Sequence, residues 1–300
     1  MKKVVIITGP TAVGKTKISI AVAKHLNTDL INADAYQIYK NMNIGTAKVT
    51  ESEKQNVIHH FLDFLEPNKE YSISEYQKDV RKLIDQMHSE NKLPILVGGS
   101  GLYIDTVIKD YRFDEEKRNV NFEEQYLEYS NEELHNVLER LDKESAEKIH
   151  PNNRKRVLRA IELSNSTVNK DSRSLAKDYY YDALCIFLSD ERETLYDRIN
   201  KRVDVMIENG LVDEVKEIGW ENFSRTSKVA IGYKEIIDYL EGNNSLEKSI
   251  EDIKKNSRHY AKRQFTWFKN KTDSKIIIVD IDNLDNTLAD VISEIEKFLK

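Results

Sequence analysis

The segment formed by residues 9–16 constrains the fold most strongly, because it matches the pattern G-x-x-x-x-G-K-[ST] in the setting that this motif requires. A continuous apolar run, residues 4–8, precedes it and predicts a buried parallel strand. Residues 15–26 follow with the apolar spacing of a helix. Successive N–H groups of such a loop, together with the positive end of the helix, surround phosphate oxygens. The motif predicts a site for a diphosphate or triphosphate group and leaves the reaction open.

The candidate diphosphate-binding residues lie within this loop and at the start of its helix. Lys15 contributes a positive charge, and the hydroxyl of Thr16 is in position to ligate Mg²⁺, which is the expected cofactor. The complete set consists of Gly9, Thr11, Ala12, Val13, Gly14, Lys15 and Thr16.

Strand and helix patterns alternate along most of the chain. Short apolar runs predict further strands at 30–33, 93–97, 183–188 and 275–279. Helical spacing predicts helices at 74–90, with Ser74 as the N-cap, and at 193–209, 246–268 and 284–299. This alternation predicts an α/β fold, a P-loop NTPase-like parallel sheet with helices on both faces.

The alternation is interrupted after residue 110. Residues 131–150 and 154–163 have helical patterns, whereas residues 164–178 are polar. We therefore expect a catalytic core made of residues 1–110 and 180–300, and a helical insertion domain at 111–179.

Charge is distributed unevenly. The net charge is −6 overall, but residues 114–147 carry twelve acidic and four basic side chains, a net −8. Residues 254–271 carry seven basic and no acidic side chains, a net +7, and residues 148–173 carry seven basic and two acidic ones, a net +5. A local field acts within a Debye length of about 8–10 Å, so basic stretches of this kind suit a polyanionic partner. Ordinary solvated helix faces are the alternative.

Composition indicates a cytoplasmic protein without a membrane segment. No apolar run approaches the roughly 20 residues that span a bilayer. The single cysteine, Cys185, has no partner for an internal disulfide and lies in an apolar run, where an inert buried thiol is expected. No sequence feature implies a protein partner.

Two positions bear on the kind of P-loop chemistry. The apolar run 93–97 ends in Gly-Gly-Ser-Gly instead of the acidic residue that orders Mg²⁺ in many P-loop enzymes. Asp34 follows the second predicted strand, so it emerges at the carboxyl edge of a parallel sheet, beside the phosphate site. There it suits a base acting on an acceptor, a base in a nucleoside or small-metabolite kinase, or a simple turn aspartate. A non-catalytic, nucleotide-dependent RNA-binding protein is the alternative to an enzyme of either kind.

Further blocks of the sequence resemble the bacterial tRNA dimethylallyltransferase family. They occur in order over nearly the whole chain and are specific as a set. The blocks are residues 9–16, 34–39 (DAYQIY), 42–48 (MNIGTAK), 98–104 (GGSGLYI), 149–154 (IHPNNR) with 159–162 (RAIE), 198–204 (RINKRVD), 230–235 (AIGYKE) and 261–268 (AKRQFTWF).

The resemblance implies two substrates, dimethylallyl diphosphate and the anticodon stem-loop of tRNA, with the prenyl group transferred to the N6 amine of the adenine 3′-adjacent to the anticodon. It implies that the loop binds the diphosphate, that Asp34 is the base, that the Ser100 hydroxyl contacts the reacting region, and that Arg202 faces the diphosphate. It also implies tRNA contacts at Asp34, Ala35, Tyr36, Gln37, Arg118, Lys155, Arg156 and Arg159.

The sequence departs from the family pattern at two site positions. The family commonly has serine where Ala35 stands and threonine where Ser100 stands. Ser100 keeps the hydroxyl and its implied role, whereas a hydroxyl contact from position 35 is lost.

Overall fold

A computed structural model describes residues 1–113, 122–165, 178–281 and 283–300. The chain forms two compact units, Met1–Asp110 with Lys177–Lys300, and Tyr111–Ala176. Within the described ranges, no helix has both the length and the apolar character needed to cross a membrane.

The first unit is built on a six-stranded sheet in which every pairing is parallel. The strands are β1 (Lys3–Thr8), β2 (Leu30–Asn32), β3 (His59–His60), β4 (Ile95–Val97), β5 (Asp182–Ser189) and β6 (Ser274–Ile278). Their order in the sheet is β3-β2-β4-β1-β5-β6, so β1 lies between β4 and β5. Because all strands run the same way, the residues that follow them meet at one carboxyl edge.

Helices cover both faces of this sheet. In β1, Val5 and Ile7 pack into one core cluster, and Val4 and Ile6 pack into another. A strand that is buried on both faces has a continuous apolar sequence, as β1 does. The helices of this unit are α1 (Lys15–His25), α2 (Glu51–Lys54), α3 (Ile73–Ser89), α4 (Gly101–Ile108), α8 (Arg192–Glu208), α9 (Leu211–Ile218), α10 (Tyr233–Leu240), α11 (Leu246–Lys271) and α12 (Leu284–Leu299). The predicted α/β class is therefore confirmed.

The second unit is helical in its described residues. It contains α5 (Asn131–Leu141), α6 (Lys143–Lys148) and α7 (Arg154–Asn165), which enclose their own apolar core. That core includes Leu134, Leu138, Val157 and Ile161.

Two helix predictions were wrong in detail. A single helix was expected at 131–150, but the chain breaks at Asp142, whose side chain accepts a hydrogen bond from Ser145 N at 3.1 Å and caps the second helix. Ser74 was expected as the N-cap of α3, but Ser72 is the cap. Its hydroxyl accepts from Glu75 N, and the Glu75 carboxylate accepts from Ser72 N, which forms a capping box.

The capping box predicts different effects for the two serines. Ser72→Ala removes the bond to Glu75 N, so the free energy of unfolding should fall by about 1 kcal/mol. Ser74→Ala, the matched control, should change it much less. Urea unfolding of both variants measures the difference, and equal losses would contradict the assignment of Ser72 as the cap.

Candidate active site

The phosphate-binding loop follows β1 at the carboxyl edge, where the neighbouring strands β4 and β5 also end. Gly14 is the residue before α1 and has φ +99°, a left-handed conformation that a side chain would strain. Gly9 lies against β5, since a Cβ there would come within 2.3 Å of the Leu188 carbonyl oxygen. Both glycines therefore allow a backbone geometry that a side chain would obstruct.

Three charged side chains meet at this loop. The Lys15 ammonium donates to the carbonyl oxygens of Gly9 at 2.9 Å and Pro10 at 2.8 Å. On α8, the Arg202 guanidinium donates to Thr11 Oγ1 at 3.4 Å. Burial, and then the nearby positive charge of Arg202, lower the pKa of Lys15 to about 7, and Asp34 opposes this shift. Lys15 and Arg202 therefore place two basic side chains beside the loop, with Asp34 as an acidic neighbour, and such a concentration of basic groups suits an anion.

Asp34 lies just beyond β2 and shapes a turn. Its Oδ1 accepts hydrogen bonds from Tyr36 N at 2.9 Å and Gln37 N at 3.3 Å. Burial raises the pKa of the Asp34 carboxyl, while these two N–H groups and the charge of Lys15 act in the opposite direction. Asp34 is a turn aspartate in its local bonding, and its carboxylate also lines a cavity.

Ser100 holds the backbone beside Asp34. Its Oγ accepts from Ala35 N at 3.1 Å, and its own N–H donates to the Ala33 carbonyl at 3.2 Å. The loop after β4 is thereby joined to the turn after β2. A threonine at this position offers the same hydroxyl, so the Ser100 departure keeps this contact.

Gln264 on α11 connects the two glycine loops. Its Oε1 accepts from Thr11 N at 3.0 Å, and its Nε2 donates to the Gly99 carbonyl at 3.0 Å. Tyr260, one turn earlier, contacts the Ser100 hydroxyl, and burial followed by the charge of Asp34 raises its pKa. Gln264 therefore joins the phosphate loop to the loop after β4, and Tyr260 supports that second loop.

A cavity of about 260 Å³ opens beside these residues, within the first unit. One part of its wall is polar and includes Thr11, Asp34, Arg202, Tyr260 and Arg263. The rest of the lining is mostly apolar and includes Ile199, Val203, Met206, Val229, Ala230, Ile231 and Ile253, together with Tyr36, Gly45, Thr46, Ala47 and Ser257. The cavity thus offers an apolar compartment next to an anion-binding loop.

A half-buried carboxylate fixes the segment at 43–45. Glu214 accepts from the backbone N–H groups of Asn43 at 2.9 Å, Ile44 at 2.8 Å and Gly45 at 3.3 Å, and from the Tyr233 hydroxyl at 2.6 Å. A Cβ on Gly45 would come within 2.4 Å of the Tyr233 ring, so only glycine fits this wall.

Of the predicted catalytic residues, Asp34 and Arg202 line the cavity together with Thr11 of the phosphate loop, whereas Ser100 lies behind it and bonds to Ala35 N. Val13 is buried among core side chains, and the N–H of Thr11 is bonded to Gln264, so these two contribute chiefly to the shape of the loop. Thr16 is exposed at the start of α1. The Gln37 side-chain amide donates to the Thr46 carbonyl at 3.0 Å and so supports the cavity wall.

The predicted tRNA contacts of the insertion lie in the second unit. Lys155, Arg156 and Arg159 are all exposed on α7, and Arg159 is ion-paired with Glu162 at 2.6 Å. Arg118 lies outside the described residues.

Sequence analysis missed Tyr260, Arg263, Gln264 and Glu214. A signal was available on α11, where Ser257, Tyr260 and Gln264 recur at helical spacing within a basic helix. No sequence signal marks Glu214, because its partners are backbone groups about 170 residues away in the chain.

A parallel α/β sheet with this loop after its central strand defines a P-loop protein. Within that class, residues 37–271 match the family model described as IPP transferase. The chain therefore belongs to the IPP transferase family. This confirms the resemblance drawn from the sequence blocks and removes the small-molecule kinase as an alternative.

Individual relatives agree with this membership. The tRNA dimethylallyltransferase of Bacillus mycoides is 45% identical over 307 residues, which cover 100% of this chain and 95% of its own. A tRNA isopentenylpyrophosphate transferase structure from Staphylococcus epidermidis is 40% identical, covers 99% of both chains and has a TM-score of 0.74. A eukaryotic dimethylallyltransferase acting on tRNA is 30% identical over 97% of this chain and 78% of its own, with a TM-score of 0.81.

The lowered pKa of Lys15 predicts proton uptake on anion binding. Below pH 7 the free protein carries the ammonium; above it the neutral amine predominates and must gain a proton to contact an anion. At pH 8 we expect wild type to take up about one more proton than Lys15→Arg on binding inorganic diphosphate, because arginine stays charged. Calorimetry in buffers of different ionisation enthalpy measures this, and equal uptake by both proteins would contradict it.

Proposed function

We propose that this protein transfers the dimethylallyl group of dimethylallyl diphosphate to the N6 amine of the adenine 3′-adjacent to the anticodon in tRNA. One observation carries the proposal: the cavity joins an apolar compartment to a phosphate loop, and Asp34 lies in its wall. A donor with an apolar chain on a diphosphate needs such a pair of surfaces. A tRNA substrate also places the reaction in the cytoplasm.

The reaction exchanges one bond for another. The C1–O bond of the donor breaks, the diphosphate leaves with the electron pair, a C1–N6 bond forms, and the N6 proton passes to a base. The exocyclic amine is a poor nucleophile because its lone pair is delocalised into the ring. Stabilising the departing diphosphate is therefore the largest catalytic task.

Lys15 and Arg202 are the side chains that we assign to the diphosphate, with the backbone of Gly9, Ala12 and Gly14 around it. Arg202 contacts Thr11 of the loop at 3.4 Å, so its guanidinium lies beside the proposed diphosphate site before a donor binds. A cation that is already next to the developing negative charge lowers the barrier with little reorganisation.

Asp34 is the base that we assign to the N6 proton. Burial raises the pKa of its carboxyl, which strengthens it as a proton acceptor at neutral pH. Ser100 and Tyr260 are positioning residues, since Ser100 fixes Ala35 N and Tyr260 contacts Ser100.

The side chains present fit Mg²⁺ as the cofactor. Mg²⁺ keeps several waters and is commonly bound through one or two protein groups plus substrate phosphates. The exposed Thr16 hydroxyl at the start of α1 offers one such group, and the described residues contain no cluster of three metal-binding side chains that would indicate a closed site. When bound with the donor, the ion would neutralise part of the charge on the departing diphosphate.

We assign tRNA binding to both units. In the second unit, exposed Lys155 and Arg156 suit backbone phosphates, with Arg159 and Arg118 as further candidates. In the first unit, the turn of Asp34, Ala35, Tyr36 and Gln37 borders the cavity and suits the adenine, which must leave the loop stack to react.

Product analysis tests this function directly. The protein, labelled dimethylallyl diphosphate, Mg²⁺ and unmodified tRNA are incubated, and the digested nucleosides are identified by mass spectrometry. We expect label on one adenosine, next to the anticodon. A tRNA with that adenosine replaced by guanosine is the control and should stay unlabelled. Label on other nucleosides, or none, would contradict the proposal.

Replacing Asp34 separates its chemical role from its turn role. In Asp34→Asn the Oδ1 still accepts from Tyr36 and Gln37, but it no longer takes a proton. The single-turnover rate should fall about 10²–10⁴-fold with donor and tRNA affinities nearly unchanged. Asp29→Asn, before β2 and so at the opposite edge, should react at the wild-type rate. A near-wild-type rate for Asp34→Asn would exclude it as the base.

Salt dependence tests the basic surface of α7. If Lys155 and Arg156 contact phosphates, the slope of log K for tRNA against log salt should lose about 0.7–0.9 per contact removed. We expect the double variant Lys155→Ala, Arg156→Ala to flatten the slope accordingly. Arg140→Ala, an exposed arginine on α5, should leave it unchanged. Filter binding across a salt series measures both, and an unchanged slope in the double variant would overturn the assignment.

A further inference from the structure

One face of α8 forms a wall of the cavity. Ile199, Arg202, Val203 and Met206 all line it, and their spacing of three and four residues places them on a single side of the helix. The polar member is Arg202, and the other three are apolar.

This face runs from the phosphate loop into a different part of the core. Ile199 packs in the same cluster as Val13 of the loop, whereas Val203 and Met206 pack in the cluster around Ile253. Arg202 contacts Thr11 of the loop. Met206 therefore lies beyond Arg202 as the cavity leads away from the phosphate site.

The distance from Arg202 to Met206 matches one isoprene unit. The two residues are four apart on α8, roughly 6 Å along the axis at 1.5 Å per residue. A dimethylallyl chain, with bonds of about 1.5 Å, spans roughly 4–5 Å from its reacting carbon to its methyl groups. A second isoprene unit would extend past the position of Met206.

The cavity is also small for a ligand-binding pocket. Pockets that enclose drug-sized ligands measure roughly 300–1,000 Å³, and this one measures about 260 Å³. The wall near Met206 includes the apolar side chains of Val203 and Ile253, so it suits the hydrocarbon end of a donor.

We propose that Met206 sets the length of the prenyl donor by closing the cavity after one isoprene unit. The inference rests on the proposed function and adds a specificity residue to it. In this role Met206 does not contact the diphosphate. It excludes ten-carbon donors because its side chain occupies the space that their second isoprene unit would need. Transfer from such a donor would follow the same bond changes, with loss of diphosphate and passage of the N6 proton to Asp34.

Geranyl diphosphate, a ten-carbon donor, tests this role. Wild type, Met206→Ala and Met206→Leu are compared for transfer of dimethylallyl and geranyl groups to tRNA, and for binding of the uncleaved thiolodiphosphate forms of both donors. We expect Met206→Ala to raise the geranyl-to-dimethylallyl ratio of kcat/KM by about tenfold or more, as deletion of methylene-sized groups from a pocket does. Met206→Leu, which conserves volume, should stay near wild type.

Val205→Ala is the matched control, because Val205 is the exposed neighbour on α8 and does not line the cavity. It should keep the wild-type ratio. If Met206→Ala does not fold, Met206→Val gives the same comparison with a smaller increase.

The outcomes separate the inference from the function on which it rests. An Ala or Val variant that handles both donors in the wild-type ratio would overturn the role of Met206. A wild type that binds both donors equally would also overturn it. If wild type binds the short donor selectively but prenylates no tRNA, the proposed function fails, while the binding ratios of the variants still decide the role of Met206.

Discussion

The site depends on the absence of side chains at the end of β4. A Cβ on Gly98 would come within 2.2 Å of the Ala33 carbonyl oxygen, one on Gly99 within 1.9 Å of the Gln264 amide nitrogen, and one on Gly101 within 2.4 Å of the Trp267 ring. At Gly98 any other residue would require movement of the backbone just after β2, and at Gly99 and Gly101 it would displace the side chains of Gln264 and Trp267. The close approach lets Gln264 reach both the phosphate loop and Gly99, and lets Ser100 reach Ala35.

This arrangement explains why β4 ends in glycine where many P-loop enzymes place an acidic residue. The space beside the loop is occupied by α11, and the acidic group comes instead from Asp34, after the neighbouring strand β2. A carboxylate at that position borders the cavity, whose remaining walls come from α8, α11 and two loops. In the proposed function, the anion site and the base therefore follow different strands.

The sequence was sufficient for the α/β class, for the phosphate loop and for Asp34 at the carboxyl edge, because each rests on local pattern and on the direction of parallel strands. The same holds for Cys185, which is buried and whose pKa burial raises to about 12. Ser72 was also within reach, since Ser72 and Glu75 form the S-x-x-E pattern of a capping box.

Other features depend on distant contacts that local pattern does not encode. Glu214 binds backbone N–H groups at 43–45, and Gln264 binds backbone groups of two separate loops. Only the folded chain brings them together. The break at Asp142 was missed for another reason: the apolar spacing continues across it, and a capping aspartate resembles an ordinary surface residue of a helix.

In the proposed function, one cavity holds the donor between the phosphate loop and Asp34. A crystal structure of the protein with dimethylallyl thiolodiphosphate, which resists cleavage, and a minimal anticodon stem-loop tests this arrangement. We expect the diphosphate on the backbone of the loop with Lys15 and Arg202, the adenine N6 within hydrogen-bonding distance of Asp34, and the prenyl chain toward Met206. A diphosphate bound elsewhere, or an adenine amine turned away from Asp34, would contradict it.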